Sequence, residues 1–169
     1  MEARDISRSP VGPPFEISLR IRHPSIDPAR ISSELNIQPE HSFKVGDPRE
    51  SSSGSVLTSV HAESYWLGSL DAITAAASLV GFVGERTRMV RERIQAAASL
   101  SLTLALDASV INFLRPHSDF IRRLQSEEGQ VTLLIELSTS ALNGFSLSPQ
   151  FTRLLSDLGI ALEFDFTNS

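Results

Sequence analysis

The segment His41-Ser42-Phe43-Lys44-Val45-Gly46-Asp47-Pro48-Arg49 gathers an imidazole, an ammonium, a carboxylate and a guanidinium in one short stretch. A cationic pair such as Lys44 and Arg49, with backbone amides near Gly46, is suited to hold a carboxylate or a phosphate. The same Gly46-Asp47-Pro48 sequence also makes a plain turn, which is the simpler account. The Gly-x-x-x-x-Gly-Lys-Ser/Thr pattern of a phosphate loop is absent. Downstream, Tyr65 and Trp66 are adjacent on an expected strand, so their side chains point to opposite faces. One of them enters the core. Trp66 suits a core plug because of its large apolar area, and its sharper role is a stacking platform for a ligand. The candidate ligand-binding set is therefore His41, Lys44, Asp47, Arg49 and Trp66.

No other constellation rises to chemistry. His23, His41, His61 and His117 have no metal-like spacing. The chain has no cysteine, which excludes thiolate ligands, a cysteine nucleophile and disulfides. No Gly-x-Ser-x-Gly elbow makes a nucleophile of any serine. Glu127-Glu128 near a helix end reads as solvated carboxylate. The Glu85–Arg93 run of mixed charge reads as a wet helix face, with docking of an acidic partner as its alternative. The expectation is no catalytic residue, no metal and no cofactor.

Three segments show the alternation of a strand with one face buried. They are Phe15, Ile17, Leu19 and Ile21; Val131, Leu133, Ile135 and Leu137; and Ile160, Leu162, Phe164 and Phe166. A further strand lies within Val60–Ser69. Two helices carry matching punctuation. Asp27-Pro28 opens one that ends at Asn36, and Ser148-Pro149 opens one that ends at Gly159. Each half reads strand, loop, capped helix, strand. The pattern predicts an α+β, ferredoxin-like two-layer sandwich: two βαβ halves, a mainly antiparallel sheet and a helical insertion at 71–106. Residues 1–13 are expected as a disordered arm and 14–169 as one domain. Leu100, Leu102, Leu104 and Leu106 alternate like a strand but lie between helical patterns, and their Ala- and Leu-rich surroundings tip them toward helix.

The run from Phe15 to Ile21, then His23-Pro24, Ile26-Asp27-Pro28, Ile31, Leu35, Pro39, Phe43, Gly46-Asp47 and Trp66, resembles the bacterial family known as domain of unknown function 4279. The Leu154–Phe166 stretch is similar to that family's ending. The resemblance covers most of 15–69 and 107–166. It implies the fold and supplies no activity.

Composition narrows what remains. Of 169 residues, 41% are hydrophobic and 21% charged, too apolar for a disordered chain. A net charge of −5 argues against a dominant contact with nucleic acid or an anionic membrane. The outward residues Glu16, Arg20, Arg22, Thr132 and Glu136 include no aromatic on which a base would stack, and Glu163 and Asp165 repel phosphate. The longest apolar stretch, Ala72–Gly84, is well short of the roughly 20 residues of a membrane helix. It is apolar around most of its circumference and must be covered, by the 85–97 helix or by a second chain in a homodimer. No secretory h-region follows the first residues, so a cytoplasmic location is expected. The leading expectation is a small soluble bacterial binding or regulatory module. An enzyme or anion binder built on the His41–Arg49 loop, and a toxin-neutralising or other protein-interaction partner, are the alternatives.

Overall fold

Strict alternation makes Phe15–His23 a strand, β1, whose odd-numbered residues are all buried. The computed structural model describes residues 15–51, 53–74, 99–100, 102–138 and 144–167. After β1 come helix α1 (Pro28–Leu35) and strands β2 (His41–Phe43), β3 (Pro48–Glu50), β4 (Val56–Val60) and β5 (Ser64–Ser69). A single turn, α2 (Asp71–Thr74), follows β5. A π-helical segment, Ala105–Val110, runs into α3 (Ile111–Leu114). Then come α4 (Ser118–Ser126), β6 (Gln130–Ser138), α5 (Pro149–Asp157) and β7 (Ala161–Thr167).

Five strands form one sheet in the order β2-β5-β1-β6-β7, while β3 and β4 form a separate two-stranded ribbon. All pairs in the large sheet are antiparallel except β6 with β7, which is parallel. The architecture is thus α+β with a mainly antiparallel sheet. The three alternating segments do share that sheet. Ile17 faces Ile135 in the β1–β6 ladder, and Ile135 faces Phe164 in the β6–β7 ladder.

Both expected caps form. Asp27 Oδ1 accepts from the Ala29 amide at 2.9 Å, Pro28 takes the first helical position, and Asn36 ends α1 in the left-handed region at φ 54°. Ser148 Oγ accepts from the Phe151 amide at 3.1 Å and donates to Asp107. Gly159 turns the chain out of α5 at φ +60°. Each cap satisfies an amide that the helix leaves without a partner.

One continuous core joins the inner faces of β1, β5 and β6 to the helices. It includes Ile17, Leu19, Ile21, Trp66, Leu133, Ile31, Leu35, Phe151 and Leu155. Within the 71–106 segment, residues 71–74, 99–100 and 102–106 are described and helical, and Leu102, Ala105 and Leu106 belong to that core. The four leucines resolve through helical spacing: Leu102 and Leu106 are buried, and Leu100 and Leu104 are exposed. An every-second-residue leucine pattern contains the i, i+4 pattern of a helix, so alternation alone could not choose. The Ala72–Gly84 contact, whether with the 85–97 helix or a second chain, lies almost wholly outside the described residues.

The other face of the sheet has no covering layer among the described residues. Arg20 pairs there with Glu163, and Arg22 Nε donates to Glu63 at 2.8 Å. Glu16, Glu136 and Asp165 stand side by side across β1, β6 and β7. Burial, and then the carboxylates of Asp71, Glu136 and Glu40, hold the Glu16 pKa above the ordinary glutamate value. The folded chain therefore keeps a proton on Glu16 to higher pH than the unfolded chain does. Stability from this group is fully present at low pH and falls as pH rises through that interval.

Two outcomes follow. Leu133→Ala, at the centre of the buried face, lowers unfolding free energy by about 2–5 kcal/mol in chemical denaturation. Glu16→Gln raises stability at neutral pH by roughly 0.2–1 kcal/mol, the size of a cross-strand charge effect. That gain vanishes below the ordinary glutamate pKa, as denaturation curves at the two pH values would show.

Candidate functional site

The expected loop does form, as the turn between β2 and β3. Asp47 Oδ2 accepts from the Lys44 amide at 2.7 Å, and the Asp47 amide donates to the Lys44 carbonyl at 3.0 Å. The side chain of Asp47 thus closes its own turn. Gly46, at φ +88°, donates to the His61 carbonyl at 2.9 Å, and the His61 amide donates to the Asp47 carbonyl at 3.0 Å. These bonds tie the turn to the strand that returns toward β5.

Lys44 reaches back to the start of α1, where its Nζ lies 3.0 Å from Asp27 Oδ2. The Ala29 amide first, and then Lys44, hold the Asp27 carboxyl below the ordinary aspartate pKa. Between α1 and β2 lies an open groove of about 750 Å³. Asp27, Lys44 and Asp47 line it together with Ser32, Asn36 and Gln38. Polar groups from α1 thus face the turn predicted from sequence.

The structure brings together only part of the predicted set. Lys44 and Asp47 line the groove. His41 does not, because it pairs with Leu67 on β5 and is exposed on the uncovered sheet face. Arg49 lies on β3, out along the ribbon, and is exposed. Trp66 is 0% exposed and offers no ring face to a ligand. Its Nε1 donates to Ser32 Oγ at 2.9 Å, beneath the groove. A Cβ at Gly68 would come within 2.4 Å of Trp66 Cη2, so the indole occupies the space that a side chain at 68 would take.

Tyr65 does take the opposite face from Trp66. Phe43 stacks on it with centroids 5.0 Å apart, and His61 stacks on Phe43 at 3.6 Å. The uncovered face therefore carries aromatic rings, contrary to the reading based on the outward residues of β1 and β6. Phe43 is thus already engaged by two rings.

The groove residues that sequence reasoning passed over are Asp27, Ser32, Asn36 and Gln38. A signal for them existed. Ser32, Ser33 and Asn36 recur at helical spacing, a polar stripe on the helix that Asp27 caps. Among the described residues no group of three or more His, Asp or Glu side chains is placed to hold a metal ion. No helix among them is long and apolar enough to cross a membrane. No protein-family model, no curated protein and no solved structure matches this chain.

Ser32→Ala leaves the buried Trp66 N–H without its acceptor and costs about 1–3 kcal/mol. Trp66 is the only tryptophan, so denaturation followed by its fluorescence reads the change directly.

Proposed function

We propose that the protein is a small binding module whose groove between α1 and β2 takes a polar, zwitterionic small molecule. The observation that carries this reading is the convergence of Asp27, Lys44 and Asp47 on one groove lined by hydroxyl and amide side chains. Two carboxylates against one ammonium leave the site net negative. A free phosphate would meet both carboxylates, whereas a zwitterion can present an ammonium to Asp47 and a carboxylate to Lys44. Nothing in this arrangement supplies a nucleophile activated by a base, which favours binding over catalysis.

We read the fold as ferredoxin-like, extended by one unit. The order β2-β5-β1-β6 with intervening helices supports this, and α5 with β7 is the addition. Membership of the bacterial family known as domain of unknown function 4279, in a cytoplasmic setting, is part of the same proposal. It rests on β1, the Asp27-Pro28 cap, the Gly46-Asp47 turn and Trp66 occurring in that order.

The test is thermal denaturation with a panel of free amino acids and, separately, with inorganic phosphate. At least one amino acid should raise the melting temperature more than phosphate does. Asp47→Asn and Lys44→Ala should each abolish that rise while the variants still unfold cooperatively. A panel with no effect, or a rise that survives both substitutions, rejects the groove as the site.

A further inference from the structure

Of the four histidines, His23 alone is buried, at the end of β1, with its side chain 3% exposed. A buried imidazole needs partners for its nitrogens. Nδ1 has two. It accepts from the Ser25 amide at 3.1 Å and from the Ile26 amide at 3.0 Å. An atom that accepts two N–H bonds holds a lone pair and no proton, so the neutral ring carries its proton on Nε2. Nε2 makes no hydrogen bond, and Glu127 Oε2 lies 3.4 Å from it.

The surroundings hold the ring in that orientation. Its Cδ2 side lies against the turn between α4 and β6, where a Cβ at Gly129 would come within 2.8 Å of Cδ2. On β5 its ladder partner is Ser64, which is buried, uncharged and bonded to the Val45 amide at 3.0 Å. Glu63, next on β5, is held by Arg22. Glu128, next to Glu127, is exposed. On the side of α1, Ile26 is apolar and buried, and Asp27 is bonded to the Ala29 amide and to Lys44. Among the described residues Glu127 is thus the one charged group within ion-pair distance of the ring.

A second proton has no place in this arrangement. It must go onto Nδ1, where two N–H groups already point. Turning the ring over does not help, because that puts a C–H at the same position. An imidazolium at 23 therefore releases both amides, whichever way the ring lies. Glu127, meanwhile, attracts the charged ring. The side chain stands between two sets of partners: amides that require its neutral form and a carboxylate that favours its charged form. The segment held by those amides leads directly into Asp27, which caps α1 and lines the groove.

We infer that His23 is a pH-operated latch on the entry to α1. In its neutral form it fastens Ser25 and Ile26. On protonation it lets both go and loosens Asp27, the residue that caps α1 and meets Lys44. The latch is defined by its own two bonds, and it stands whether or not the groove binds a ligand.

Amide hydrogen exchange read residue by residue tests it, at about pH 8 and about pH 5, on either side of the ordinary histidine range. After correction for intrinsic exchange rates, protection of the Ser25 and Ile26 amides should fall about tenfold or more at the lower pH, equivalent to roughly 1.4 kcal/mol. Amides of the β1–β6 ladder should keep their protection. His23→Asn places Oδ1 where Nδ1 stands and carries no titratable group, so it should hold both amides at both pH values. Nitrogen NMR shifts of the wild-type imidazole give a reading that needs no variant: Nδ1 should be unprotonated at the higher pH and protonated at the lower. Equal protection of the two amides at both pH values overturns the proposal. So does a loss shared by the whole ladder, a proton on Nδ1 at the higher pH, or a His23→Asn variant that loosens in acid as the wild type does.

Discussion

The position of β1 between β5 and β6 is the constraint on which the other placements depend. A strand with neighbours on both sides commits two ladders at once, and its period of two fixes which residues of each neighbour face inward. Ile21 faces Trp66 on one side and Val131 on the other. A slip of one residue on the β5 side would bring Tyr65 to the core and leave the indole in water. It would also separate Trp66 Nε1 from Ser32, and with that lose the bond that seats α1 over the sheet. The groove exists only because α1 is seated there. The chain from β1 register to Trp66 to Ser32 to the groove is therefore one structural dependency.

What was legible in the sequence follows from which forces are local. Strands β1 and β6 bury one face completely, so their alternation is clean and their assignment needed no partner. The caps at Asp27-Pro28 and Ser148-Pro149 are local by nature, since a side chain meets an amide two or three residues on. Strands β2 and β3 have three residues each and almost no burial, so they carry no periodic signal. They are strands because β5 and β4 pair with them, a non-local cause that a single segment does not display. At Leu100–Leu106 the leucine spacing satisfied two periods at once, and only the Ala- and Leu-rich surroundings tipped the reading toward the helix that the described residues adopt.

The candidate site divides along the same line. Lys44 and Asp47 lie in one turn, and the turn's own hydrogen bonds keep them together. His41 precedes the turn on β2, where strand alternation sends it to the uncovered face. Arg49 follows the turn on β3, which carries it away along the ribbon. Closeness in sequence implied closeness in space only within the turn. The partners that complete the groove come from α1, a separate element brought near by the core.

That same turn is where the groove and the ribbon meet. Asp47 lines the groove with its side chain and receives the His61 amide on its carbonyl, at the root of β4. Gly46 adds a second bond to His61, and Phe43 covers the His61 ring. An isolated two-stranded ribbon is marginal in water, with too little buried area to order itself. Here its root is held by backbone bonds on both sides of His61 and by the stack of His61, Phe43 and Tyr65, which continues onto β5. The ribbon is thus anchored through its base, while its outer half keeps every side chain exposed.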